Sequence, residues 1–234
     1  MRPSLAVSMK HFYIPAENLD DWRRLLADPE KHWRDGYSAK SLATRWWDAK
    51  GFPAEVLESF RASAIPLLRE LRFVVGLPEH KVELPSGRRP SQTDIMVLAR
   101  AAGELVVVAV EGKGEEPFDD LVGVWRKTDT DGKEERLAFL TDGLGLSGRD
   151  LNSIRYQLLH RTVSALLTAE RFAGRHAVVL IHSFSAARTG FKDYSTFLRL
   201  FGIEATEGTV QRAGSLHDIE LYFSWTVGPT LHQP

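Results

Sequence analysis

Two apolar runs dominate the middle of the chain: S-Q-T-D-I-M-V-L-A-R at 91–100 and L-V-V-V-A-V-E-G-K at 105–113, joined by A-A-G-E. An apolar run this long that lacks a helical period predicts a strand buried on both faces, and the glycine-containing link predicts an antiparallel hairpin. A-V-V-L-I at 177–181 predicts another core strand. Two segments repeat instead at helical spacing. The first is Phe52 to Arg72, with Val56, Phe60, Ala64, Leu67 and Leu71 on one stripe and Pro53 in its first turn. Pro66 should kink or split it. The second is Asn152 to Phe172, with Ile154, Leu158, Val163, Ala165 and Leu166 on its apolar side, a cap at Asn152 or Ser153 and a stop at Gly174. Tyr194 to Phe201 reads as a short helix, and I-E-L-Y-F-S-W-T-V-G at 219–228 alternates as a strand expected at a sheet edge.

Charges interrupt this pattern at one place. Asp94 begins the first apolar strand, while Glu111 and Lys113 end the second and share one of its faces because side chains alternate. A closed hairpin makes those two ends neighbours. Ionised groups beside a buried strand need a partner or a metal. Two carboxylates suit Mg²⁺, which prefers oxygen ligands and keeps several waters, and the Gly112 carbonyl could add another oxygen. A cation there would polarise a phosphoryl oxygen and activate water, with Lys113 orienting that water or stabilising charge on phosphorus. The bland alternative is an E-x-K ion pair at a strand end.

T-D94 … V-E111-G-K113 resembles the core of the PD-(D/E)XK, or restriction-endonuclease-like, nuclease superfamily. The resemblance covers about residues 53 to 185. It departs from the pattern where Thr93, not proline, precedes Asp94. It implies an α/β fold in which a mixed central sheet is flanked by helices, with the acids on the second and third strands of a meander followed by a helix and a strand. It also implies a Mg²⁺-dependent nuclease, with Mn²⁺ as a substitute, in which Asp94 and Glu111 bind the metal. Several branches carry a glutamine on the following helix facing the metal, and Gln157 matches it. Arg155, His160 and Arg161 lie near Gln157 and could touch phosphates, as could Arg89 and Gln92 in the approach to Asp94. The alternative for the helix cluster is a solvated polar face with Tyr156 half-buried. A further acid is often donated upstream. Glu79, which with His80 precedes the expected first core strand, ranks ahead of Glu70, while Glu55 and Glu58 read as solvated. Glu115 and Glu116 read as a solvated rim.

The domain reading places residues 1–52 as a helical extension packed on a nuclease domain of 53–234. In the extension, Trp22, Trp33, Trp46 and Trp47 beside basic residues could stack on nucleic acid, although aromatics at helical spacing more often pack inward. Ser38 could cap a helix there.

Composition removes several alternatives. With no cysteine, disulfides, thiolate zinc sites and cysteine nucleophiles are excluded, and a cytoplasmic setting is expected. No apolar stretch is long enough for a membrane span, and M-R-P-S-L-A-V-S-M-K-H lacks the apolar region of a signal peptide. G-x-S-x-G, H-E-x-x-H and Walker loops are absent, G-L-G-L-S-G at 143–148 follows no strand, and D-T-D-G, in a charged turn at Thr128 to Lys133, lacks the spacing of a calcium loop. A formal net charge of −1 provides no general basic surface. A nuclease then needs a local basic face, for which Arg88 and Arg89 precede Asp94. DNA is the expected partner, a homodimer is left open, and the rival function is a non-catalytic binding or assembly protein on the same scaffold.

Overall fold

The computed structural model describes residues 17–86, 89–127 and 132–229. The apolar runs form a six-stranded mixed sheet with helices on both faces, an α/β architecture. Helices α1 (Leu19–Arg23), α2 (Pro29–His32), α3 (Ser38–Ala49), α4 (Ala54–Ala62) and α5 (Pro66–Arg69) precede a meander of β1 (Arg72–Val82), β2 (Ser91–Ala101) and β3 (Glu104–Lys113). Helices α6 (Val122–Trp125), α7 (Lys133–Gly143) and α8 (Tyr156–Arg171) then lead to β4 (His176–Ser183). The chain closes with α9 (Phe191–Leu198), β5 (Val210–Leu216) and β6 (Ile219–Val227). The strand order is β1-β2-β3-β4-β6-β5. β1, β2 and β3 pair antiparallel, β4 joins β3 and β6 joins β4 in parallel, and β5 pairs antiparallel with β6. A parallel step from β3 to β4 requires a crossover, which α8 supplies.

The expected hairpin forms. Ala102 (φ 48°) and Gly103 (φ 86°) make its two-residue loop, the left-handed pair that matches strand twist. Val106 to Val110 are at most 2% exposed because both sheet faces are covered. On one face Met96, Val107, Ala109, Val179 and Phe223 pack against α7, α8 and α9. On the other, Ile95, Val97, Val108 and Leu180 pack against residues of α1, α3 and α4. Trp22 and Trp46 are at most 1% exposed there, and Trp33 and Trp47 pack partly buried against the same cluster, so all four contribute to the core.

Several expected boundaries move for local reasons. Pro66 splits the first long helix: Ser63 turns extended, its hydroxyl donates to the Phe60 carbonyl, and Ala64 is exposed rather than on a continuous stripe. Glu79 and His80 do not precede the first core strand but lie within β1. The crossover helix starts at Tyr156, so neither Asn152 nor Ser153 caps it. The Asn152 carbonyl instead accepts from the Gly123 amide at 3.1 Å, and Leu121 bridges to Arg155. At the helix end, Ala173 takes the left-handed conformation (φ 52°) while the Gly174 amide reaches back to Ala169. The 219–228 strand lies inside the sheet, with β5 outside it. Its polar positions are not a solvent face: Ser224 and Thr226 are at most 1% exposed and donate to Thr209 and Ser59, so they are buried, satisfied groups. The charged turn at 128–133 falls mostly, and Arg88 wholly, outside the described residues, as does the N-terminal segment read for a signal peptide. Among the described residues no helix is long and apolar enough to cross a membrane.

Candidate active site

The last described pair of the β2–β3 ladder is Ile95 with Val110, so the next step outward sets Asp94 across from Glu111. Pro78 with Ile95 and His80 with Thr93 likewise set Glu79 across from Asp94. Three acidic residues on three adjacent strands thus fall at one end of the sheet. Asp94 terminates the ladder itself, its Oδ2 accepting the Gly112 amide at 2.8 Å. Gly112 sits in tight quarters: a Cβ there would lie 3.2 Å from Leu42 and 3.4 Å from that Asp94 oxygen, so the Leu42 side chain would have to give way slightly.

The crossover helix supplies the opposite wall. Nearly all of α8 is buried, and its polar residues divide by role. Thr162, Ser164 and Thr168 donate to carbonyls one turn back within the helix. Gln157 and Arg161, one turn apart, face the acids. Gln157 Nε2 donates to Glu111 Oε1 at 2.6 Å, and its Oε1 accepts from Lys113 Nζ at 3.0 Å and from the Asp119 amide at 3.3 Å. Lys113 Nζ also lies 3.4 Å from Glu111 Oε1 and 4.7 Å over the Phe118 ring. Arg161 Nε donates to Glu111 Oε2 at 2.5 Å, and its guanidinium donates to Ser91 Oγ at 3.0 Å. Ser91 Oγ is 2.9 Å from His160 Nδ1. Arg161 Nη1 also lies 3.5 Å from His160 Nδ1, and because a guanidinium only donates, that nitrogen is placed as an acceptor, with the Ser91 hydroxyl donating to it.

The electrostatics follow from burial. Desolvation alone would raise Glu111, but Arg161 and Lys113 outweigh it and hold its pKa below the usual range. Asp94 has no such pairing. Burial, then the charges of Glu111 and Glu79, push its carboxyl well above the usual value. Glu79 is pushed up to about 7, chiefly by burial, although Gln92 donates to its Oε2 at 2.8 Å. His160 is driven well below its ordinary value by burial, with Arg161 adding to this, and is neutral. Three acids, Glu111 buried and Asp94 and Glu79 half-buried, face two buried cations.

Asp94, Glu111, Lys113 and Gln157 therefore come together. Glu79 stands beside Asp94, and Gln92 bridges Glu79 to the Leu25 carbonyl at 3.3 Å. His160 and Arg161 are each only 8% exposed, which excludes the solvated helix face read as their alternative. Arg155 points elsewhere. It pairs with Asp193 at 2.8 Å and donates to the carbonyls of Phe118 and Asp119. Arg89 is exposed, and its carbonyl accepts from Arg136, which also donates to the Leu84 and Pro85 carbonyls. Glu70 is exposed and away from this cluster on the end of α5. Glu115 accepts from Ser185 and Thr189 at the rim, which lowers its pKa, while Glu116 holds the Gly114 amide.

Among the described residues no three acids or histidines lie close enough to hold a metal ion by themselves. The donor set nevertheless fits one kind of site. Mg²⁺ commonly binds one or two carboxylates, completing its shell with water and substrate oxygens. Asp94 and Glu111 would supply such a pair, and added positive charge there would relieve the pressure on Asp94 to protonate.

A second polar cluster lies on the opposite face. Trp46 Nε1 donates to His182 Nδ1 at 3.0 Å, so the proton resides on Nε2, which lies 3.1 Å from Glu55 Oε1. Arg45 grips both Glu55 oxygens at 2.8 and 2.6 Å. Glu55 is thus not the solvated residue expected from its place off the apolar stripe. Its pKa is lowered: the Arg45 and His182 hydrogen bonds overcome the desolvation that acts against them. His182 is fully buried and joins α3 and α4 to β4.

The model of a family described as a domain of unknown function (DUF6946) matches residues 15–230. No curated protein and no solved structure matches the chain.

Proposed function

The chain belongs to the DUF6946 family, and we propose that it is a nuclease of restriction-endonuclease-like fold that hydrolyses phosphodiester bonds of DNA in the cytoplasm with Mg²⁺ or Mn²⁺. One observation carries this reading. Asp94 faces Glu111 across a hairpin, with Lys113 two residues on along the same face and Gln157 of the crossover helix bonded to both Glu111 and Lys113. The order of meander, crossover helix and parallel strand supports it as well.

Asp94 and Glu111 would hold the cation. Bound there, it would polarise a phosphoryl oxygen and make water a better nucleophile near neutral pH. Lys113 would stabilise charge developing on phosphorus, since a compact ammonium in an enclosed site acts strongly on a nearby oxyanion. Gln157 would hold Lys113 and Glu111 at a fixed separation. Glu79 is an adjacent acid able to accept a proton near neutral pH.

The test is incubation of the purified protein with supercoiled, linear and single-stranded DNA in Mg²⁺ or Mn²⁺. Metal-dependent cleavage should fall at least about a hundredfold in Asp94→Ala and Lys113→Ala, the size of effect that removing a transition-state group produces. Cation binding should be lost in the first variant and kept in the second. Wild-type protein that neither binds these cations nor cuts DNA or RNA would favour the second reading, a non-catalytic binding or assembly protein. The observation favouring that alternative is the enclosure of Glu111 and Lys113, both 4% exposed and already paired.

A further inference from the structure

Glu111 is crowded in a way that bears on how any cation enters. Its Oε1 accepts from Gln157 at 2.6 Å and faces Lys113 at 3.4 Å, while its Oε2 is taken by Arg161 Nε at 2.5 Å. The Arg161 side chain is 10% exposed and that of Glu111 5%, so little water screens the pair. Arg161 also has an anchor independent of the acid, the Ser91 hydroxyl at 3.0 Å. Ser91 in turn is fixed by the neutral His160. The guanidinium thus has a second place to rest when the carboxylate is withdrawn.

We infer that Arg161 is a built-in counter-cation of this site: it occupies Glu111 in the metal-free protein and competes with a divalent cation for that carboxylate. The inference rests on the reading of Asp94 and Glu111 as cation ligands and deepens it by stating what must move first. The physical reason is repulsion. Two positive charges a few ångströms apart on one carboxylate repel each other strongly in a poorly hydrated place. Lys113 is a weaker competitor, because its Nζ stands 3.4 Å from Glu111 and bonds Gln157 more closely at 3.0 Å. Once released, the planar guanidinium matches the paired oxygens of a phosphodiester. Arg161 is then a positioning residue for metal entry and a phosphate ligand afterwards. Removing it should tighten cation binding while weakening the hold on substrate, a split that loss of a merely structural ion pair would not produce.

Calorimetric titration of the full chain with MnCl₂ tests this. Arg161→Gln should bind Mn²⁺ about tenfold more tightly than wild type, within the usual range for coupling between two competing ligands. Arg161→Lys keeps the charge but cannot span Glu111 and Ser91, and should fall between them. If Arg161→Gln does not fold, the wild-type protein decides the matter. In ¹⁵N-labelled protein the Arg161 Nε–H resonance, assigned by its absence from Arg161→Lys, should shift on saturation with Mg²⁺ as its bond to Glu111 breaks. Equal or weaker Mn²⁺ binding by Arg161→Gln, or an unmoved resonance in Mg²⁺-saturated protein, overturns the counter-cation role and leaves the nuclease reading standing. Folded wild type and variant that both bind no divalent cation overturn the two together.

Discussion

At the scale of the residue, Asp94 is held against its own ionisation. Its folded-state pKa is raised, by burial first and by Glu111 and Glu79 next. A raised carboxyl favours folding most at pH values below its unfolded pKa, near 3.8, and loses that contribution as pH rises towards its folded value. Glu79 behaves likewise, losing its contribution as pH climbs from about 4.5 through about 7. Metal-free Asp94→Asn, which keeps an oxygen for the Gly112 amide, should therefore melt higher than wild type at pH 8. A gain of roughly 2–4 °C corresponds to about 1 kcal/mol in a chain of this size. The gain should shrink at pH 4, and saturating Mg²⁺ should reverse the order by stabilising wild type alone. Thermal denaturation at the two pH values, with and without Mg²⁺, checks this. A residue that costs the resting fold stability is what a functional carboxylate at this position would be.

At the scale of the element, α8 and the Trp46–His182–Glu55 bridge do different work. The bridge ties α3 and α4 to β4. His182→Ala would strand the Trp46 N–H and open a cavity, a loss of about 2–4 kcal/mol readable in urea unfolding. The bridge should also respond to acid. The folded pKa values of Glu55 and His182 both lie below their usual ones, so the stability they add is present above the unfolded values, near 4.5 and 6.5. It is lost as pH falls through their folded values. Little of this was legible in the sequence, because 127 residues separate His182 from Glu55 and periodicity reports only neighbours along one element. Asp94, Glu111 and Lys113 were legible for the opposite reason: one short hairpin brings them together, and strand alternation fixes their faces. Gln157 emerged only through family likeness. Arg161 reads in the sequence as a phosphate contact, but no local pattern says that a basic helix residue will be turned inward onto an acid. The same limit hid the interior place of β6, whose buried hydroxyls look like a solvent face in the sequence.

At the scale of the molecule, charge sets the terms of any encounter with DNA. The formal net charge is −1, and of the basic residues near the site Arg155 is paired with Asp193 and Arg161 with Glu111. Long-range attraction to a polyanion is accordingly weak, and affinity should depend on a few close phosphate contacts. About three such contacts give a log–log salt slope of about −3, well short of strongly basic binders. Fluorescence anisotropy on a short duplex, in Ca²⁺ to hold cleavage back and from 50 to 200 mM salt, measures it. A slope of −6 or steeper would mean a basic face that net charge conceals.

The two-residue loop at Ala102 and Gly103 is a ruler for the proposed chemistry at the other end of the hairpin. Seven paired steps separate it from Asp94 and Glu111, and substitutions along that length change packing without changing which residues face each other. A single inserted or deleted residue does change it. Such a slip sends one acid to the opposite face of the sheet, and no local repacking returns it. Related chains that keep the site should therefore vary freely in sequence between loop and acids while conserving the count.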